Sequence, residues 1–168
     1  ACPSMLLLAL TTHMSMDIAP IPFLWILPLA LYLLTLILAF DAPRWYARAW
    51  FLAAVPVAIG TLAWLVPQSP SDRPRLWLCL LLYSAAFFVL AMVCHGELAR
   101  LKPHPKHLTG YYLMISLGGA LGGCFVALVA PNVFRASYEL PIALALVAGL
   151  AAWVVFQEPA WPFCRDLL

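Results

Sequence analysis

Five stretches of this sequence contain no Asp, Glu, Lys or Arg: Ile18 to Phe40, Ala49 to Ser71, Leu76 to Gly96, His107 to Phe134 and Leu140 to Gln157. A charge at the centre of a bilayer costs roughly 2.5–3.5 kcal/mol on insertion scales, and a helix needs about 20 apolar residues to cross about 30 Å of hydrocarbon. Each stretch approaches or exceeds that length. The chain therefore reads as an all-α, polytopic transmembrane helix bundle in a single integral membrane domain over 1–168, with about five spans near 21–40, 48–67, 76–96, 108–130 and 138–157. A sixth uncharged stretch, Ala1 to Met16, is shorter and carries Thr11, Thr12 and His13. It reads as a short N-terminal helical segment, either the last turns of an upstream helix or a piece lying at the interface.

Composition excludes the other classes. The chain is 65% hydrophobic and 10% charged, whereas a soluble domain is roughly 45–50% apolar and about 25% charged. A mean hydropathy of +0.97 also excludes disorder, because such a chain has ample apolar surface to offset ordering entropy. A net charge of +2 without a basic stripe excludes a nucleic-acid partner. The five cysteines, Cys2, Cys79, Cys94, Cys124 and Cys164, form no C-x-x-C pair and no regular spacing, so neither a zinc site nor a disulfide framework is expected. The start, Ala-Cys-Pro-Ser-Met, lacks an initiator Met and a basic leader region and reads as a fragment or processed chain.

Most prolines fall near the expected helix ends, while Pro28 and Pro56 sit inside spans, where each should remove a backbone donor and kink the helix. Lys and Arg set the orientation. Arg44, Arg48, Arg100, Lys102, Lys106 and Arg165 fall on one side, against Arg73, Arg75 and Arg135 on the other, which predicts a cytoplasmic C-terminus in a bacterial inner membrane. Trp25, Trp45, Trp50, Trp64, Trp77, Trp153 and Trp161 lie mostly near span ends, as interfacial anchors do.

Three groups of residues invite a chemical reading. In the fourth span, Gly118 pairs with Gly122 and Gly119 with Gly123 at small-xxx-small spacing, a smooth face on which another helix backbone can approach closely. A dinucleotide loop would need a preceding strand and an exposed turn, which continuous apolar helix does not provide. A kinked or unwound substrate contact is the competing reading, and Leu at position 119 or 122 should disturb assembly first. At the end of the third span, Cys94-His95-Gly96-Glu97-Leu98-Ala99-Arg100 places Glu97 and Arg100 on one helical face. His95 and Glu97 project about 200° apart and cannot share a metal. The bland reading is a polar cap closing the helix. The sharper one is a proton or substrate site formed by His95, Glu97, Arg100, Tyr111 and Tyr112, since ionisable groups at membrane depth are costly and placed for a purpose. On the opposite face, His13, Asp17, Arg135 and Glu139 form a candidate ion-pair group, with structural pairing favoured over catalysis for want of a nucleophile or metal set. No catalytic residue, metal or obligate cofactor is expected; bound lipid, quinone or pigment at the helix surface is compatible with the composition.

A resemblance covers nearly the whole chain. Asp17-Ile18-Ala19 with Pro22-Phe23-Leu24-Trp25-Ile26-Leu27-Pro28-Leu29-Ala30-Leu31-Tyr32-Leu33-Leu34-Thr35, then Cys94-His95-Gly96-Glu97-Leu98-Ala99 with Pro103, then Leu108-Thr109-x-Tyr111-Tyr112-Leu113 leading to the glycine block and Ala130-Pro131-x-x-Phe134, is similar in order and spacing to the membrane part of fused transporter-like/spermidine synthase proteins. In that family a soluble aminopropyltransferase-like domain usually follows the membrane segments. The resemblance implies such a parent protein, but that domain is absent from these residues and its catalysis does not carry over. Two functions are then expected. The first is a non-catalytic membrane module that anchors or packs against partners and handles a small cationic or amphipathic substrate. The alternative is an accessory transmembrane subunit of a larger respiratory or photosynthetic complex. Membrane lipid, other transmembrane subunits or the remainder of its own chain are the expected partners.

Overall fold

The structure, a computed structural model, describes residues 1–18, 22–68, 74–133 and 138–157. Every element among them is helical: α1 (Cys2–His13), α2 (Ile26–Asp41), α3 (Arg48–Leu65), α4 (Leu76–Arg100), α5 (Leu108–Cys124), α6 (Ala130–Val133) and α7 (Glu139–Gln157), with short 3-10 or π turns between some of them. Four helical stretches among the described residues are long and apolar enough to cross a membrane: Arg48–Leu65, Leu76–Arg100, Pro105–Val133 and Glu139–Gln157. The span expected over 21–40 differs. It is a 3-10 turn, Pro22–Trp25, followed by the 16 residues of α2. At 1.5 Å per residue, α2 alone covers roughly 24 Å, short of the hydrocarbon thickness.

The proline expectations divide. Pro28 is the third residue of α2, within the first turn, where backbone donors have no intrahelical partner, so it breaks nothing. Pro56 lies in the interior of α3 and does remove a donor. Pro131 lies two residues before Val133, near the end of the helical stretch Pro105–Val133, as expected. Just before it the chain widens into a π turn, Phe125–Val129, in which the Ala130 N–H reaches the Phe125 carbonyl. A wide turn is a usual accommodation where the i to i−4 ladder is interrupted.

The N-terminal segment is a short helix, as expected, but of its two readings the interfacial one does not hold. Helix α1 is in the middle of the bundle and packs on α2, α4, α5 and α7. Leu6 and Leu10 are fully buried, and Met5, Ala9 and His13 are buried beside them. The other strong contacts are α3 on α4, α2 on α4 and α7 on α3. The inner face of α4 repeats Cys79, Tyr83, Ala86, Phe87, Leu90 and Cys94, a helical period of small and large residues. In a membrane, lipid tails are as apolar as Leu, so this face is held by close packing and by hydrogen bonds between helices rather than by the hydrophobic effect.

The glycine face of α5 lies against the start of α1. A Cβ at Gly122 would stand 2.6 Å from the Ala1 carbonyl oxygen, and one at Gly118 would stand 3.2 Å from the Ala1 nitrogen. At Gly119 and Gly123 the nearest atoms are Ser4 Oγ at 3.5 Å and Leu8 Cδ1 at 3.7 Å, ordinary contact distances. The two pairs are therefore unequal. We expect Gly122→Ala to destabilise the protein by about 1–3 kcal/mol through overpacking against backbone. Gly119→Ala should be neutral or stabilising by up to about 1 kcal/mol through helix propensity. Thermal melts of the two variants in the same detergent test this, and equal midpoints would refute it.

Candidate functional site

The polar residues expected to form one site at the end of α4 are divided by the helix itself. His95 and Glu97 leave α4 in different directions and meet different neighbours, so the structure contains two polar centres where the sequence suggested one.

His95 turns toward α2. Its Nδ1 lies 3.1 Å from Thr35 Oγ1, and the ring of Tyr32 meets it edge-on with centroids 4.8 Å apart. The Thr35 hydroxyl donates its single proton to the Tyr32 carbonyl at 2.9 Å. Oγ1 must then accept from Nδ1–H, which assigns the tautomer: in the neutral ring, Nε2 carries the lone pair. That Nε2 is buried and has no hydrogen-bond partner, and the whole residue is 1% exposed. His95 is also part of the wall of a cavity of about 290 Å³ beneath α1, together with Ser4, Tyr32, Cys94, Tyr111 and Gly119. Ser4 Oγ and Tyr32 Oη are 3.5 Å apart, a long contact that leaves both hydroxyls with spare capacity.

Glu97 turns the other way, toward the α2–α3 connection. Its Oε1 accepts from the Tyr46 hydroxyl at 2.9 Å and from Arg48 Nε at 2.9 Å, and Arg100 Nη1 approaches at 3.4 Å. Arg48 Nη2 also donates to the Val154 carbonyl of α7 at 3.2 Å. One carboxylate thus joins the start of α3 to the end of α4, and Arg48 extends the link to α7. At 25 residues, α4 is about 37 Å long, longer than the hydrocarbon is thick, which leaves length for a charge cluster at its end to stand outside. The Tyr46 ring lies directly on Gly96, where a Cβ would come within 2.5–2.6 Å of three ring carbons.

Burial raises the Tyr46 phenol well above its ordinary range; the Glu97 carboxylate and the hydrogen bond to it push the same way, and Arg48 and Arg100 partly oppose them. A group whose folded value is raised holds its proton more tightly than in the unfolded chain. Its stabilisation is therefore complete below the unfolded phenol value of about 10 and is lost as pH rises beyond it. Wild type should lose more stability than Tyr46→Phe between about pH 9 and pH 11.5; parallel curves would remove Tyr46 from the network.

The remaining expected residues fall as follows. The Tyr111 hydroxyl donates to the Leu98 carbonyl near the end of α4, tying α5 to α4. Tyr112 is exposed and lies against Phe40 and Tyr111. His13 is buried and bonded through Nε2 to the Tyr83 hydroxyl at 3.0 Å, so it belongs to the α1–α4 interface. The side chain of Asp17 and all of Arg135 lie outside the described residues, as do Trp161, Cys164 and Arg165. Glu139 is the first residue of α7, where a carboxylate favours the helix N-terminus. Tyr83 and His95 stand twelve residues apart on α4, roughly 18 Å along its axis, so His13, bonded to Tyr83, and His95 belong to different levels of the bundle. Among the described residues no His, Cys, Asp or Glu cluster has metal-binding geometry.

Sequence reasoning missed Thr35, Tyr32, Ser4, Tyr46 and Arg48. Each acts on a residue at least twenty-eight positions away. Arg48 carried a signal as a charge at a span boundary, and Tyr32 and Thr35 only as members of the block that carries the resemblance. No family model, curated protein or solved structure matches this chain.

Proposed function

We propose that this chain is a non-catalytic integral membrane module, akin to the membrane part of the spermidine-synthase-like proteins it resembles, which anchors partner proteins and holds a small cationic or amphipathic molecule in the cavity beneath α1. The observation that carries the reading is the cavity itself, about 290 Å³ and lined by Ser4, Tyr32, Cys94, His95 and Tyr111 among apolar residues. Largely apolar cavities with a few convergent polar groups are the usual form of small-molecule sites. The charge pattern supports a bacterial inner-membrane location with the C-terminus cytoplasmic, checked by labelling Cys164 from outside intact cells. Labelling there would reverse the orientation.

The test is to purify the full-length protein from native membranes and extract what it carries. Mass spectrometry is expected to find a small molecule in stoichiometric amount that is reduced in Gly119→Ala, which narrows the cavity while keeping ordinary contact distances. A protein that carries no such molecule overturns the reading.

A second reading, an accessory subunit of a respiratory or photosynthetic complex, is favoured by one feature. Helix α5 packs on the bundle chiefly through α1, and it presents Leu113, Met114, Leu117 and Leu121 outward, a face open to another helix, lipid, quinone or pigment. Co-purification of energy-transducing subunits in fixed ratio would select it.

A further inference from the structure

We infer that the pocket where α2 and α4 end and α3 begins binds the phosphate of an anionic ligand, with an acidic phospholipid as the source its surroundings favour. The inference goes beyond the proposed function and does not rest on it: this pocket and the cavity beneath α1 have no described wall residue in common.

Three observations define the chemistry. First, the pocket, about 450 Å³, is walled by Arg48, Arg100 and Lys102 together with Phe40, Tyr46 and Gly96. Its size is that of a ligand site. Among the described residues, the carboxylate these cations meet is Glu97, bonded to Arg48 at 2.9 Å and approached by Arg100 at 3.4 Å. Three cations beside one carboxylate leave two positive charges in excess, and Asp41 and Arg44, at the adjoining end of α2 and just after it, cancel each other. An excess of that sign repels a cationic ligand and attracts phosphate, and basic pockets between membrane helices take acidic lipid headgroups. Second, the cations differ in how they are held. Arg48 is fixed, with Nε on Glu97 and Nη2 on the Val154 carbonyl. Arg100 and Lys102 are exposed, so a ligand arriving from outside the bundle can reach them. One charge is thus preorganised and two are accessible, and a planar guanidinium suits two oxygens of a phosphate. Third, an apolar track leads to the pocket. Leu33, Ile37 and Phe40 recur at i, i+4 and i+7 along α2 and share one face. Leu33 and Ile37 are exposed, and Phe40 is in the pocket wall. An acyl chain can lie along that stripe while its phosphate sits among the cations. A soluble phosphate would leave the stripe unused, which is why the lipid is favoured.

The experiment titrates the purified protein, in a non-ionic detergent at low salt, with dioctanoyl phosphatidylglycerol, dioctanoyl phosphatidylcholine and inorganic phosphate, and follows binding by calorimetry. The two lipids share their chains and phosphodiester and differ in the choline cation. Phosphatidylglycerol is expected to bind saturably, at least about tenfold tighter than phosphatidylcholine and at least about tenfold more weakly in Arg100→Gln/Lys102→Gln. Arg44→Gln/Lys106→Gln removes the same charge outside the described pocket wall and should weaken binding by less than about threefold. Inorganic phosphate that binds as tightly as phosphatidylglycerol, and is lost in the pocket variant, upholds the anion site and assigns it a soluble ligand. Equal binding of the two lipids without phosphate binding, undiminished phosphatidylglycerol binding in a folded pocket variant, or equal losses in the two double variants overturns the inference. Should the pocket variant fail to fold, Lys102→Gln replaces it, at an exposed residue beyond the last turn of α4. A loss of at least about threefold is then expected, and an unchanged affinity overturns the inference.

Discussion

Gly96→Ala is expected to be among the most damaging single-methyl additions in this protein, lowering stability by about 2–4 kcal/mol. The added Cβ would lie 2.5–2.6 Å from three carbons of the Tyr46 ring, a distance that requires the ring to move. Tyr46 is buried, so the ring has little room. Overpacking of this kind costs about 1–3 kcal/mol. Displacing the ring also breaks the hydrogen bond its hydroxyl donates to Glu97, and bonds to a charged group contribute about 1.5–3 kcal/mol. Against this, alanine regains up to about 1 kcal/mol of helix propensity over glycine. The control is Gly149→Ala in α7, where nothing lies within 4 Å of the new Cβ. That variant should match or slightly exceed wild type in thermal melts. If the two variants melt together, the contact of Tyr46 on Gly96 has no energetic role.

Removing the carboxylate beside it should be as harmful. Glu97→Ala is expected to cost about 3 kcal/mol, the low end for breaking a buried ion pair, because the Glu97 and Arg48 side chains retain 14% and 22% of their exposure. Two hydrogen bonds of 2.9 Å converge on one oxygen of Glu97. Without it, the Arg48 guanidinium keeps its bond to the Val154 carbonyl but loses the one from Nε to Glu97. A double-mutant cycle with Arg48→Ala separates this pair from general loss of packing, with an expected coupling of about 1–3 kcal/mol. A coupling below about 0.5 kcal/mol would mean that the two residues contribute independently. Arg100, more exposed and three residues along the same helix, should couple to Glu97 more weakly, by a few tenths of a kcal/mol.

These predictions rest on residues that differ in how readily their roles are read from sequence. The α5 glycines announce a close approach by their spacing, because four residues on a helix return to the same face. Gly96 has no such spacing partner. Its role depends on Tyr46, which approaches from the α2–α3 connection, and no local pattern encodes that approach. His95 and Glu97 illustrate the same limit. Helical geometry indicates that they point apart, but Thr35, sixty residues from His95, and Arg48, forty-nine residues from Glu97, are brought in by packing alone. The residues read as one site divide, His95 with Tyr111 at the cavity and Glu97 with Arg100 in the ion pair, because proximity in sequence at a helix end does not imply a shared direction.

The all-helical, membrane-like character of the chain was legible from charge spacing, since every backbone polar group in a bilayer must be satisfied internally and few charges are tolerated there. That constraint acts residue by residue, so a linear sequence expresses it fully. The place of α1 is different. Its uncharged residues suit an interfacial segment or a central helix equally well, and its burial depends on α2, α4, α5 and α7 surrounding it. The cavity follows from the same arrangement, because it is the space left where α1 meets α2, α4 and α5 around His95. Position in a bundle is a property of neighbours distant in the chain, and within lipid it is set by the fit of surfaces, which only their assembly reveals.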